Sequence, residues 1–363
     1  MVLISPLLLF LECSSMRQAV SLSARRLLGG VALAAASFSL SPLASAAELN
    51  LYTTREPGLI IPLLESFTKD TDIKVNTVFV KDGLIERVKA EGNKSPADIL
   101  MTVDIGNLLD LVESGVTQPV DSAVLKDAIP AHLRGEDGSW FALSMRDRVG
   151  YVAADLDDIT ELTYENFADP RWKGKVCIRS GQHPYNVGML AAMIAHNGAE
   201  ATEQWLRDVK ANLGRTAAGG DRDVARDILG GICDVGIANA YYVGRMKNAE
   251  QGSDEYQWGE AIKVVRPVFA KSGGTHVNVS GAAVAKHAPN RDSAVRLLEY
   301  LVSDEAQSLY ARANYEYPVK AGVELDAVVA SFGELKADQL PLPEIAKHRK
   351  QASELVDKVG FDH

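Results

Sequence analysis

Two adjacent tyrosines, Tyr241 and Tyr242, follow a short apolar run, Asp234-Val235-Gly236-Ile237-Ala238, that reads as a buried strand. A third, Tyr185, lies in the polar segment Ser180-Gly181-Gln182-His183-Pro184-Tyr185-Asn186. Phenol oxygens gathered at strand ends are unusual as packing, but they suit a hard, highly charged cation such as ferric iron. A free phenol ionises only near pH ~10. At neutral pH a strong Lewis acid is needed to keep it deprotonated, and binding must release protons. Three phenolates also cancel the charge of a ferric ion and so remove the Coulomb penalty of burying it. Adjacency is a constraint: neighbours on a strand point to opposite faces, and neighbours on a helix diverge by about 100°. Both rings reach one ion only at an irregular strand-to-helix junction. Asn239-Ala240 offers such a junction, before a helical pattern from Tyr242. The competing reading of the pair alone is one buried and one surface tyrosine, the commoner arrangement.

Alternating apolar runs and amphipathic patterns must hold these groups. Strands are expected at 48–53, 73–80 and 97–102, and helices at 59–67, 84–91 and 107–115, with Pro62 breaking the first helix near its start. A second unit follows: a strand at 174–178, helices at 187–196, 199–211 and 221–229, and the strand 234–239 that delivers the tyrosine pair. The chain leaves this unit near 263–268, and a strand at 276–284 returns to the first. Helices at 292–303 and 304–312 and a polar, helix-patterned tail beyond Phe332 complete the chain. Strand–helix alternation predicts an α/β fold with a mostly parallel sheet. Two such units, crossed more than once, leave a crevice, and ligands of open α/β sheets bind outside the carboxyl ends of strands. Thr53, Thr54 and Arg55 fall at one such end, Thr102 and Asp104 at another. Asp104 reads first as a helix N-cap before Asn107.

Arg17, Arg25 and Arg26 precede an alanine-rich apolar run, and Ala44-Ser45-Ala46 reads as a small-x-small cleavage site, so residues 1–46 are expected to be an export signal. Arg25-Arg26 before Leu27-Leu28 weakly resembles a twin-arginine signal. Losing three of 38 basic residues and one of 48 acidic ones deepens the net charge from −10 to −12. That balance argues against nucleic acid and anionic membranes as partners. Cys177 and Cys233 either pair or are two small buried apolar side chains, and both readings stay open. Neither H-E-x-x-H, G-x-S-x-G nor a phosphate-cradling glycine loop occurs, and no nucleophile–base pairing stands out, so no enzyme is expected. His183 reads as a solvent-facing loop residue and His276 as a structural hydrogen-bonder.

The chain beyond the export signal resembles the periplasmic ferric-ion-binding proteins of ABC importers, the tyrosine-cluster branch of the class II periplasmic binding proteins. The likeness runs through Asn50-Leu51-Tyr52-Thr53-Thr54-Arg55, Ser95-Pro96-Ala97-Asp98-Ile99-Leu100-Met101-Thr102-Val103-Asp104, Trp140-Phe141-Ala142 and Arg146-Asp147-Arg148-Val149. It continues in Asp169-Pro170-Arg171-Trp172-Lys173-Gly174, Gly274-Thr275-His276-Val277-Asn278-Val279-Ser280-Gly281 and Asn314-Tyr315-Glu316-Tyr317-Pro318-Val319. Tyr185 precedes the pair by 56 residues, the interval of that family. The resemblance implies a two-lobed α/β fold with mixed sheets flanked by helices and a ligand cleft between the lobes. It places 47–148 with 276–325 in lobe 1 and 149–275 with 326–363 in lobe 2, with hinges near 148–152 and 271–275. It implies Tyr185, Tyr241 and Tyr242 as ferric ligands in a periplasmic, monomeric binding protein that serves an inner-membrane ABC permease. Many relatives carry a His-Tyr pair where this chain has Glu56-Pro57. Three completions of the metal shell are therefore open: a small anion such as carbonate with water, which is favoured; the Glu56 carboxylate; or a weakened or altered ligand. Arg146 is the foremost anion-contacting candidate, with Thr53 and Arg55 as helpers. For Arg55 and Arg148 surface salt bridging is an equal alternative, and Arg215 and Arg245 are weaker candidates. The nearest rival is the same architecture carrying an oxyanion, thiamine, a polyamine or a metal chelate.

Overall fold

Strand β1 (Glu48–Thr53) pairs in parallel with β2 (Lys74–Phe79) on one side and β3 (Ile99–Thr102) on the other. This computed structural model describes residues 47–363, and the expected export signal at 1–46 lies outside them. Helices α1 (Ile61–Thr71), α2 (Leu84–Glu91) and α3 (Ile105–Glu113) fill the connections and the turn beyond β3. Pro62 does not break α1. It occupies the first turn, where an amide N–H has no helical partner to lose, and a short 3-10 turn at Pro57–Leu59 leads into it. Asp104 caps α3 as expected, its carboxylate accepting from the Gly106 and Asn107 amides.

The longest strand, β4 (Phe141–Ala153), is not expected from the pattern. Arg146, Asp147 and Arg148 interrupt its apolar run, yet all three are buried. The first half of β4 pairs antiparallel with β8 (Val277–Ala285), from Phe141↔Ala282 to Asp147↔Val277. From Arg148 onward it pairs antiparallel with β6 (Val235–Asn239) and β7 (Ile262–Val265). Strand β5 (Val176–Ile178) joins β6 in parallel, giving the order β2-β1-β3-β8-β4-β6-β5. The sheet is thus mixed, and the mostly parallel expectation fails because β4 and β8 run against their neighbours. Alternation of strands and helices reports βαβ units. It carries no signal for long strands that cross from one unit to another.

Helices α4 (Pro184–Asn197), α5 (Ala199–Asn212), α6 (Asp221–Leu229) and α7 (Tyr241–Lys247) surround β5 and β6. Helices α8 (Arg291–Leu301) and α9 (Asp304–Asn314) pack near α1. The tail forms α10 (Leu342–Ala346) and α11 (Arg349–Val359), both against α4, with α10 also touching α3. Among the described residues no helix is long and apolar enough to cross a membrane.

His276 differs from expectation. It is buried with both ring nitrogens unpartnered, and burial pulls the ring pKa down to about 3. Only its backbone bonds: the N–H donates to the Tyr164 hydroxyl at 3.0 Å, and the carbonyl accepts from the Arg148 N–H at 3.1 Å.

Cys177 and Cys233 form a disulfide with a Cα–Cα distance of 5.8 Å, tying β5 to the segment that leads into β6. The closed loop spans 56 residues. Cross-linking a loop of this size removes denatured-state entropy worth about 2–4 kcal/mol. The double variant Cys177→Ser/Cys233→Ser should lose stability of that order in urea unfolding. The unreduced wild type should show no free thiol from these positions when denatured, and a titratable thiol there contradicts the pairing.

Candidate metal centre

Tyr241 opens α7 one residue after β6 ends, with Ala240 as the junction. This abrupt turn lets vicinal side chains lie on one side: the two rings stand 4.1 Å apart between centroids, inclined by 32°. Helix α7 also presses against the segment before Glu316. A Cβ at Gly244 would come within 2.5 Å of Tyr315, so only glycine fits there. Tyr185 is in the first turn of α4, not in a loop. Pro184 starts the helix, and the His183 ring caps it by accepting from the Tyr185 N–H at 3.2 Å. His183 is accordingly half-buried, edge-on to Tyr185 at 4.5 Å, with its pKa drawn down to about 4 by burial and then by Arg179.

All three tyrosines line one cavity of about 230 Å³, together with Arg55, Glu56, Arg146 and Glu316. A larger groove of about 540 Å³ lies beside α1 and β2, but Ile61, Leu64 and Val75 make it chiefly apolar and no chemistry converges there. Burial, then the neighbouring Tyr185 and Tyr242, push the Tyr241 phenol well above its ordinary range. Burial, then Asp221 and Tyr185, raise Tyr242 as well. Without a cation these two groups are therefore neutral phenols at physiological pH. Among the described residues no cluster of three His, Cys, Asp or Glu side chains is placed to hold a metal. The oxygen-bearing side chains on the cavity wall are those of Tyr185, Tyr241, Tyr242, Thr54, Glu56 and Glu316.

Arg146 is buried, with its guanidinium 5.4 Å from the Tyr185 ring centroid. It donates to the Val103 and Val279 carbonyls, and no carboxylate pairs with it. A buried cation in no salt bridge, with Tyr185 and Glu316 as its nearest favourable charges, makes this wall receptive to negative charge. Arg55 is also buried, so surface salt bridging is excluded. It donates to Glu316 and to Ser280, each at 2.8 Å. Thr53 is misplaced by the sequence reading: it is fully buried away from the cavity, its hydroxyl accepting from the Arg55 N–H at 2.9 Å, and Thr54 takes the lining position. Glu56 is exposed at the cavity edge and makes no capping bond. Arg245 lines the cavity with its guanidinium 5.8 Å from the Tyr241 ring, whereas Arg215 pairs with Asp227 elsewhere. Arg148 is buried outside the lining.

Two charged lining residues, Glu316 and Arg222, escape the sequence reading. Glu316 follows Tyr315, a non-glycine residue in the left-handed region at φ 58°. A carboxylate between two tyrosines is a usable signal of a buried charge. Arg222 has no such signal, since it reads as an ordinary exposed charge on an amphipathic helix.

Residues 94–336 match the family model described as bacterial extracellular solute-binding protein. The chain belongs to that family. This solute-binding protein is 73% identical to a solved structure titled Bordetella ferric binding protein, with a TM-score of 0.84 over 87% of this chain and 100% of that one. It is 41% identical to the iron uptake protein A1 of a Synechocystis over 86% of this chain and 87% of that protein. It is 38% identical to a Trichodesmium protein solved with iron and citrate ligands, with a TM-score of 0.82 over 87% of this chain and 100% of that chain. The fold is the two-lobed α/β architecture of these periplasmic binding proteins.

Burial opposes ionisation of Glu316, but Arg55, then Arg146 and the hydrogen bonds from Arg55 and Ser144, outweigh it and hold the carboxyl below its ordinary range. A depressed folded-state pKa stabilises the fold at neutral pH, and that contribution is lost as the pH falls through the folded value. Arg55→Met strands this carboxylate and should destabilise the protein by about 3–5 kcal/mol at neutral pH. The deficit should shrink in acid as Glu316 takes up a proton. Denaturant titrations of both proteins across the acid range measure it, and a deficit independent of pH contradicts the pairing.

Proposed function

We propose that this chain is a non-catalytic carrier that takes ferric iron onto Tyr185, Tyr241 and Tyr242 and delivers it to an inner-membrane ABC permease. The observation that carries this reading is the convergence of three phenols in one cavity beside Arg146, a buried cation with no carboxylate of its own. The ferric cargo of the relatives supports it. The chain works in the periplasm as a monomer, after removal of residues 1–46. Lobe 1 comprises 47–148 with 276–325, lobe 2 comprises 149–275 with 326–363, and flexing where β4 changes partners closes them over the ion.

The three ligands come from lobe 2, so the shell is completed from elsewhere. A small anion such as carbonate, or a carboxylate compound, held by Arg146 fits the positive character of that wall. Glu56 is the protein's alternative donor, being exposed and free to swing inward. Arg55, engaged with Glu316, supports the wall and keeps little capacity for an anion.

Tyr241 and Tyr242 enter the reaction protonated. Each ligand that binds as phenolate releases one proton, which the raised positions of Tyr241 and Tyr242 make costly without the metal. Affinity should therefore fall as the pH falls, by about tenfold per pH unit for each phenol ionised on binding. Titration with ferric citrate should produce a visible phenolate-to-iron charge-transfer band, and its dependence on pH gives the proton count. Tyr241→Phe should weaken iron binding by more than about 100-fold, the upper end of what losses around a metal's ligands cost, while the melting temperature of the metal-free protein barely moves. Unchanged affinity in that variant, or no band in the wild type, removes the ferric assignment and favours a different solute in the same cleft.

A further inference from the structure

Tyr185 and the Tyr241–Tyr242 pair belong to two separate strand–helix units. The β5–β6 ladder that joins these units ends at Ile178↔Ile237. Beyond it the segment leading to Tyr185 has no strand partner, so its distance from the pair must be fixed by side chains. One buried guanidinium reaches both. Arg148 donates through Nη2 to Asn186 Oδ1 at 2.5 Å and to the Ile237 carbonyl at 3.2 Å. Through Nη1 it donates to Asn239 Oδ1 at 3.1 Å and to Asp221 Oδ2 at 2.7 Å. Asn186 adjoins Tyr185, and Asn239 stands two residues before Tyr241.

Asp221 is the counter-charge and extends the tie. Its Oδ2 also accepts from the Asn239 N–H at 2.8 Å, and its Oδ1 accepts from Arg179 at 3.3 Å. The Arg179 guanidinium in turn lies 5.3 Å from the Tyr185 ring centroid. Asn186 donates to the Arg179 and Ser180 carbonyls at 3.0 Å each, which fixes the loop before α4. The backbone of Arg148 is held as well: its N–H reaches the His276 carbonyl and its own carbonyl accepts from the Tyr164 hydroxyl at 2.7 Å.

We infer that Arg148 is a positioning residue for the metal centre: it sets the separation of Tyr185 from Tyr241–Tyr242 and ties that separation to the point where β4 changes partners. The inference rests on the ferric reading above. It uses the planar fork of an arginine, which serves four acceptors at once; a lysine ammonium, a point charge on a flexible stem, cannot. A trivalent ion tolerates little error in the spacing of its oxygen ligands, so loosening one arm weakens the site without removing a ligand.

The test uses the full exported chain, loaded with iron from ferric citrate, as wild type, Arg148→Lys, Asn186→Leu, the double variant, and Leu297→Ala as a core truncation remote from the cavity. The charge-transfer band and the rate of iron loss to excess chelator are read well below each protein's unfolding temperature. Arg148→Lys and Asn186→Leu should each shift the band and release iron at least about tenfold faster, the range seen when groups that orient metal ligands are lost. The double variant should lose less than the sum of the two, because both cut the same tie. Leu297→Ala should lower stability and leave band and rate unchanged. If Arg148→Lys fails to fold, Asn186→Leu still decides, because it keeps the Arg148–Asp221 pair. Variants that merely melt earlier, with wild-type band and release rate, overturn the positioning role alone. A wild type without the band overturns the ferric reading and this inference with it.

Discussion

Three consecutive charged residues, Arg146, Asp147 and Arg148, run buried through the middle of β4, and the molecule is arranged around neutralising them. Strand alternation sends Arg146 and Arg148 to one face and Asp147 to the other. Asp147 accepts from Arg266 at 3.0 Å, although burial pushes its pKa up. Arg266 also donates to the Tyr317 hydroxyl and to the Phe332 and Gly333 carbonyls, so the segment after β7, the segment after α9 and the tail meet at one carboxylate. Arg148 has Asp221. Arg146 alone forms no salt bridge, sensing Glu316 only at longer range, and faces Tyr185 instead. The cost of burying an unpaired cation is large, and here it is what makes one wall of the cavity receptive to negative charge.

That asymmetry bears on how a soft equilibrium between free and loaded protein can be reached. With Tyr241 and Tyr242 neutral, Arg55, Arg146, Arg222 and Arg245 outnumber Glu56 and Glu316 on the cavity wall, so the proposed ferric ion meets net positive charge until it displaces protons. Phenolates formed by that displacement then face Arg146 and the cation together. Binding and deprotonation are consequently one event, and the same buried environment that raises Tyr241 and Tyr242 makes the ionised form depend on the metal. On the ferric proposal, reprotonation supplies a route to release that needs no change of fold.

Much of this was legible in the sequence, and the failures have physical causes. Helix 84–91 and strand 48–53 fall where apolar periodicity puts them, because a simple amphipathic pattern decides them. The junction after Asn239 was readable from the impossibility of aiming two adjacent side chains from a regular element. Strand β4 was not, because a run of charge is indistinguishable from a loop until its partners, Asp221 and Arg266, arrive from residues far along the chain. Thr53 and Glu316 fail for a related reason. The carboxyl end of a strand gives the neighbourhood of a site but not which of two successive residues turns inward, and Glu316 reaches the cavity only through the left-handed turn at Tyr315. The disulfide was an open choice, since buried cysteines look alike whether or not they pair.

Cys177 and Cys233 each stand eight residues before a tyrosine of the cluster, Tyr185 and Tyr241. Strands β5 and β6 pair in parallel, with Cys177 opposite Gly236, so the two strand–helix units run side by side. The covalent tie joins the middle of β5 to the chain entering β6, and the Arg148 tie lies beyond the exit of a ladder only three residue pairs long. A short ladder alone would leave the arms free to splay. Pinning them twice braces the two phenol-bearing arms against each other, which is the rigid placement that the proposed ligand set needs.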